Sequence, residues 1–151
     1  MSPARLEKGT GLMKLSRTVA YAVQATVLLA QAKSDSPVPC SQLAANGNMP
    51  ERFLLQILRN LVTHGILQST RGVDGGYSLG RAPEKISLLE IIEAIDGPLT
   101  AAVPGREGGT ATTADARLSE ALEQVTAQCR RQLDSIKLVH LISATPLGKL
   151  A

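Results

Sequence analysis

The chain is 151 residues long, the size of one domain or of a small domain with an appended dimerisation element. Hydrophobic residues make up 44% and aromatics 2%, so the core must be built from Leu, Ile, Val and Ala, which suits packed helices and argues against a β-sandwich. The net charge is +3, with nine Lys/Arg against four Asp/Glu as far as Pro83 and seven against nine beyond it, so a polyanion would meet the first half.

In chain order, Met1–Leu12 is polar and without period, and reads as a disordered leader with Met13 as an alternative start. It lacks the apolar stretch of a signal peptide. Ser16 caps a helix to about Lys33, on which Val19, Val23, Val27 and Ala30 make an apolar stripe. Gln24 and Gln31 make this stretch too polar, and its length too short, for a bilayer span. Ser34–Pro39 is a turn. A short helix follows over Cys40–Ala45, with Leu43 and Ala44 inward, stopped by Asn46-Gly47-Asn48.

Pro50 opens a helix that runs to His64 and ends at Gly65. Leu54, Ile57, Leu58 and Leu61 form its buried face, and Arg52, Gln56, Arg59 and Thr63 the opposite one. Ile66–Thr70 and Tyr77–Gly80 read as two short strands, with Asp74-Gly75 as the hairpin signal. Ser87 and Glu90 form a capping box for a helix carrying Leu88, Ile91, Ile92 and Ile95, ended by Gly97-Pro98. Thr100–Thr113 reads as a flexible loop. The last helix is expected from Ala114 to Ser143, with Leu118, Leu122, Val125, Cys129, Leu133, Ile136 and Val139 as a one-sided stripe suited to pairing with another chain.

Helix, short helix, turn, longer helix and hairpin in this order make a winged helix-turn-helix. The expected fold is mainly α with a small β-hairpin wing and a long C-terminal dimerisation helix. The expected division is a leader (1–12), a DNA-binding domain (13–83), and a linker helix, loop and dimerisation helix (84–151). Arg52, Gln56 and Arg59 are residue types that read base edges or hold phosphates, and a phosphate suits the partial positive charge at the start of their helix. Arg71 sits beside Gly72, Gly75 and Gly76, which let the wing approach a minor groove closely.

The segments Met13–Ala30, Phe53–Leu67 and Ser69–Pro98 resemble the Rrf-two (Rrf2) family of bacterial regulators, which includes iron–sulfur, nitric-oxide and cysteine-metabolism regulators. The pattern S-x-R-G-x-x-G-G-Y-x-L followed by I-x-L-x-x-I-I carries most of the likeness. The resemblance implies a homodimer bound to a palindromic operator on double-stranded DNA, more often a repressor than an activator. By position, Arg52, Gln56 and Arg71 match the family's base- and groove-contacting residues. Arg59 is added from periodicity, and Gly72, Ser41 and Lys14 complete the DNA-contact candidates. The family's iron–sulfur members carry three cysteines in the loop after the I-x-G-P segment. Here Leu99–Arg117 has neither Cys nor His, so no iron–sulfur cofactor is expected. That loop is the place for a small effector or a protein partner.

Cys40 is a small buried hydrophobe or, in the sharper alternative, a redox-sensing thiol lowered in pKa by its helix N-terminus. Cys129 belongs to packing or, alternatively, to an intersubunit disulfide. With two distant cysteines and no export signal, a reducing, cytoplasmic compartment is expected. His64 complements its helix dipole and His140 is at a surface or interface. No nucleophile, base and orienting group stand together, so no enzyme and no metal site are expected. The competing functions are a winged-helix module that binds protein and a small-molecule or metal-binding stress protein.

Overall fold

In the computed structural model, which describes residues 14–32, 36–101 and 112–143, Ser16 is extended and its hydroxyl accepts the Val19 N–H at 3.2 Å. That bond satisfies one of the free donors at the start of helix α1 (Arg17–Gln31). The leader read over 1–12 and most of the loop read over 100–113 lie outside the described residues.

The buried face of α1 is Val19, Ala22, Ala25, Thr26 and Leu29, turned from the expected stripe; Val23, Val27 and Ala30 are half-buried against the core's edge. Alanines at the centre of the contact let the neighbouring helices approach closely, which an aromatic-poor core requires. Thr26, fully buried, satisfies its hydroxyl by donating to the Ala22 carbonyl at 2.6 Å.

Helix α2 (Cys40–Gly47) turns Leu43 and Ala44 inward and ends at Asn48, whose φ of 50° is left-handed. Helix α3 (Glu51–Thr63) buries Leu54, Ile57, Leu58 and Leu61, as its period predicts, against α1 and α2. Strands β1 (Leu67–Thr70) and β2 (Gly76–Leu79) pair antiparallel, with Leu67 opposite Leu79 and Thr70 opposite Gly76.

The hairpin connection differs from the one suggested by Asp74-Gly75. Five residues, Arg71–Gly75, join the strands, and the Gly75 N–H donates to the Gly72 carbonyl at 3.0 Å. Asp74 is not left-handed, so this is not a two-residue primed turn; Gly72, at φ 112°, takes the conformation closed to other side chains. The stretch read as a turn before Cys40 also does more than turn. Val38 bridges Tyr77 through two 2.8 Å backbone bonds, giving β2 a second neighbour. A Cβ on Gly76 would lie 2.4 Å from the Val38 carbonyl carbon, so this close approach demands glycine.

After a 3₁₀ turn (Pro83–Lys85), helix α4 (Leu88–Asp96) starts at the expected capping box: Ser87 Oγ accepts the Glu90 N–H, and Glu90 accepts the Ser87 N–H. Its buried residues are Leu89, Ile91, Ile92 and Ala94, whereas Leu88 and Ile95 are only half-buried. The core reaches α4 from two sides, α1 and α3, which draws in a wider arc than a single stripe.

The expected single C-terminal helix is two helices, α5 (Thr113–Ser135) and α6 (Leu138–Ile142). Ile136 and Lys137 between them are extended. Two backbone bonds explain the break: the Leu88 N–H donates to the Ile136 carbonyl and the Leu138 N–H to the Ile86 carbonyl, both at 2.8 Å. A continuous helix would have spent those groups on itself. The break delivers Leu138, 1% exposed, into the cluster that holds Leu54, Ile57, Ile86 and Ile91. The core therefore runs across the boundary read at Pro83.

Replacing Leu138 by Ala should cost about 2–5 kcal/mol of unfolding free energy, as for other buried leucines. Urea denaturation followed by circular dichroism measures it, and a change below about 0.5 kcal/mol would mean that α6 is not docked in the core.

Candidate nucleic-acid interface

Helix α3 buries one face so completely that its opposite face is set by geometry. Arg52, Gln56, Arg59 and Thr63 are all exposed on it. Among the described residues, no hydrogen bond or ion pair engages the side chains of Arg52, Gln56 or Arg59. Thr63 differs, because its hydroxyl donates to the Arg59 carbonyl at 3.0 Å.

The wing presents Arg71 and Gly72, both exposed, on the loop of a hairpin whose first strand packs on α3. The Arg71 side chain is likewise unpaired among the described residues. Beside it Val73, wholly solvent-exposed, forms the tip of the loop. The structure thus brings Arg52, Gln56, Arg59 and Arg71 onto two adjoining elements. Lys14, ahead of α1, and Ser41, in the first turn of α2, are exposed as well, and no contact ties either to the α3 face.

Not every arginine of the basic half is available. Arg81 pairs with Glu90 at 3.0 Å and donates to the Lys85 carbonyl, fastening the end of the wing to α4. The start of α3 is also less cationic than its dipole suggests, because Glu51 occupies the first turn.

Phe53, 51% exposed in the first turn of α3, escaped the sequence reading. Its ring meets Tyr21 of α1 edge-on, with centroids 6.4 Å apart at 80°. Its signal was a large apolar residue out of phase with Leu54, Ile57, Leu58 and Leu61. A second missed feature is a clamp at the end of α4. Glu93 accepts both the Arg130 guanidinium of α5 and the Leu99 N–H, and Arg130 also donates to the Leu99 carbonyl. The Arg130 hydrogen bond, with the Leu99 N–H in support, holds the Glu93 carboxyl below its ordinary pKa.

Cys40 is half-buried against the core, and its thiol donates to the Glu51 carbonyl at 3.7 Å. Burial, and then the Glu51 carboxylate, push its pKa up, against the lowered value that a redox sensor would use. Cys129 is half-buried on α5. His64 sits at the end of α3 with Nδ1 2.8 Å from the Asn60 carbonyl. His140 accepts the Lys137 N–H through Nδ1 at 3.0 Å and so helps to start α6. Among the described residues, no three His, Cys, Asp or Glu side chains stand where they could hold a metal ion. None of the described helices is long and apolar enough to cross a membrane.

An α3 with one buried and one unpaired polar face, beside a glycine-built hairpin, defines a winged helix-turn-helix DNA-binding protein. The chain belongs to the Rrf2 family, described as iron-dependent transcriptional regulators, which matches residues 15–144. The family and the relatives that follow are described as transcriptional regulators. A Mycobacterium tuberculosis chain named as an HTH-type transcriptional regulator is 44% identical over 87 residues, 58% of this chain and 54% of that one. The regulator CymR of Bacillus subtilis is 32% identical over 88 residues, 58% of this chain and 64% of the relative. The chain thus spans between half and two thirds of the length of these relatives. The solved structure of CymR, the global cysteine regulator of B. subtilis, superposes with a TM-score of 0.70 at 27% identity, covering 89% of this chain and all of that one. The T. potens IscR structure gives 0.67 at 26% identity, covering 93% of each chain.

With Cys129 replaced by Ser, Cys40 should react with iodoacetamide at pH 7 more slowly than a free thiol, and its pH–rate profile should lie above that of free cysteine. A profile displaced to lower pH would restore the redox-sensor reading.

Proposed function

We propose that the chain acts as a homodimeric repressor that reads a palindromic operator, with α3 in the major groove and the wing in the adjacent minor groove. The observation that carries the DNA-contacting part is that Arg52, Gln56, Arg59 and Arg71, exposed on adjoining elements, are unpaired among the described residues. Arg81 and Arg130, by contrast, are each held by a carboxylate and a backbone carbonyl and are not offered to a groove. Ser41, Gly72 and Lys14 join them as outer contacts to the sugar–phosphate backbone.

Dimerisation is assigned to α5. None of its residues is buried, yet Leu118 and Val125 are 50% and 61% exposed, with Leu122 and Cys129 on the same stripe. An apolar stripe of this length on a 23-residue helix is satisfied by a second copy of the same helix. Ile136 and Val139, first counted with that stripe, fall at the break and in α6, so the interface is centred on Leu118–Cys129.

The signal is assigned to something other than an iron–sulfur cluster. The family's description includes iron, but the segment from Leu99 to Arg117 carries no Cys and no His, and the chain's two cysteines are 89 positions apart on α2 and α5. This donor set does not fit a cluster. A small effector or protein partner acting at that segment, in a cytoplasmic setting, completes the reading.

Fluorescence anisotropy on the promoter of the chain's own gene, against a scrambled duplex, tests the DNA contacts. Binding should be specific and weaken steeply with salt, and Arg71→Ala should cost about 1–3 kcal/mol per half-site. Equal, weak binding to both duplexes would favour a protein-binding winged helix. For the dimer, Leu118→Glu combined with Val125→Glu should sediment as a monomer while keeping the far-ultraviolet spectrum of the wild type. A double variant that remains dimeric removes α5 from the interface.

A further inference from the structure

Phe53 is an exposed aromatic in the first turn of α3, in a protein with one Phe, two Tyr and no Trp. Aromatic side chains usually fill interiors, yet this one is turned outward. About 100° per residue separates successive side chains of an α-helix, which puts Phe53 about 60° round α3 from Gln56, at the edge of the Arg52–Gln56–Arg59 face. The edge-on contact with Tyr21 holds the ring in place on the α1 side. An apolar surface so placed is pre-organised rather than free to fold back.

What would cover that ring follows from its surroundings. Arg52 adjoins it in sequence, Gln56 lies one turn on beside it, and Arg59 follows on the same polar face as both, all unpaired among the described residues. A basic and amide-bearing rim favours a polyanion over an apolar protein surface. The apolar stripe assigned to dimerisation lies on α5, which packs on α4, not on the helix bearing Phe53. Within a major groove only one base offers an apolar group at its edge: thymine, through its C5-methyl. The N-terminal turn of a recognition helix is also the part that approaches base edges.

We propose that Phe53 packs on a thymine C5-methyl group, making it a specificity-determining residue that adds a thymine to the bases read by Arg52, Gln56 and Arg59. The assignment rests on α3 lying in the major groove as proposed above. It adds a requirement that hydrogen bonding alone would not impose, since uracil presents the same donors and acceptors as thymine.

The test uses the full-length chain and a duplex that it enriches from a random-sequence pool. That duplex is prepared in two forms, one with thymine and one with deoxyuridine at every thymine position, and both are titrated with wild type and with Phe53→Ala. Burying one methyl-sized group corresponds to about a fourfold change in affinity, and two half-sites to about fifteenfold. Wild type should prefer the thymine duplex by this order, and Phe53→Ala should lose most of the preference. Because each protein is compared with itself on two duplexes, a general loss of affinity or stability in the variant does not alter the readout. An undiminished thymine preference in Phe53→Ala, or none in wild type, overturns the proposal. Failure to enrich any sequence instead brings down the DNA-reading assignment on which it rests.

Discussion

The antiparallel bridge between Ser87 and Lys137 joins the parts of this molecule. Two backbone hydrogen bonds at 2.8 Å hold Ile86–Leu88 to Ile136–Leu138, and they lie where Ser87 also caps α4 and where Leu138 enters the core. One short stretch therefore ends the long helix, starts the helix after the wing, and closes the core beneath α1. Without it α5 would meet the rest of the described chain mainly through α4. With it, the helix assigned to dimerisation and the helix assigned to DNA share a continuous packed connection. Rigid connection of this kind is what a dimer needs if the separation of its two reading helices is to match the spacing of two half-sites.

The same economy governs charge. Arg81 and Arg130 are held by Glu90 and Glu93 and by backbone carbonyls, and each ties one element to another. Exposed ion pairs add little stability, so the worth of these lies in positioning. Among the described residues Arg52, Arg59 and Arg71 have no such duties, and their guanidinium groups keep their hydrogen-bonding capacity for a ligand. The Glu93–Arg130 clamp also fixes Leu99, where the chain leaves α4 towards the segment expected to sense a signal.

Much of this was legible in residue order alone. The Ser16 and Ser87 caps, the buried face of α3 and its polar opposite face follow from local rules: a capping oxygen needs only its own first turn, and an amphipathic helix carries its orientation in its period. The wing motif, with the segments Met13–Ala30 and Phe53–Leu67, carried the resemblance to the family, and the match over residues 15–144 agrees. What the local rules could not supply was anything decided by a distant segment. The face α1 buries is chosen by how closely its alanines let other helices approach, and not by its valines. The hairpin loop is set by Gly72 and by the pairing of Val38 with Tyr77, residues 39 positions apart, rather than by the Asp74-Gly75 dipeptide.

The apolar period from Leu118 to Val139 carried no sign of the break at Ile136, because a helix and an extended bridge satisfy the same backbone groups and only the presence of Ile86–Leu88 decides between them. Nor could the pattern separate Arg52 and Arg71 from Arg81, since a charged side chain's role depends on whether a carboxylate from elsewhere reaches it. Phe53 makes the same point for an apolar residue: it is out of phase with the buried face of α3, and only the packing shows it exposed beside Tyr21. The sequence by itself determined the order of the elements through α4, the Ser16 and Ser87 caps, and the family. The tertiary structure alone decided which faces are buried, which arginines stay free and how the long helix is fastened, because these depend on contacts between residues far apart in the chain.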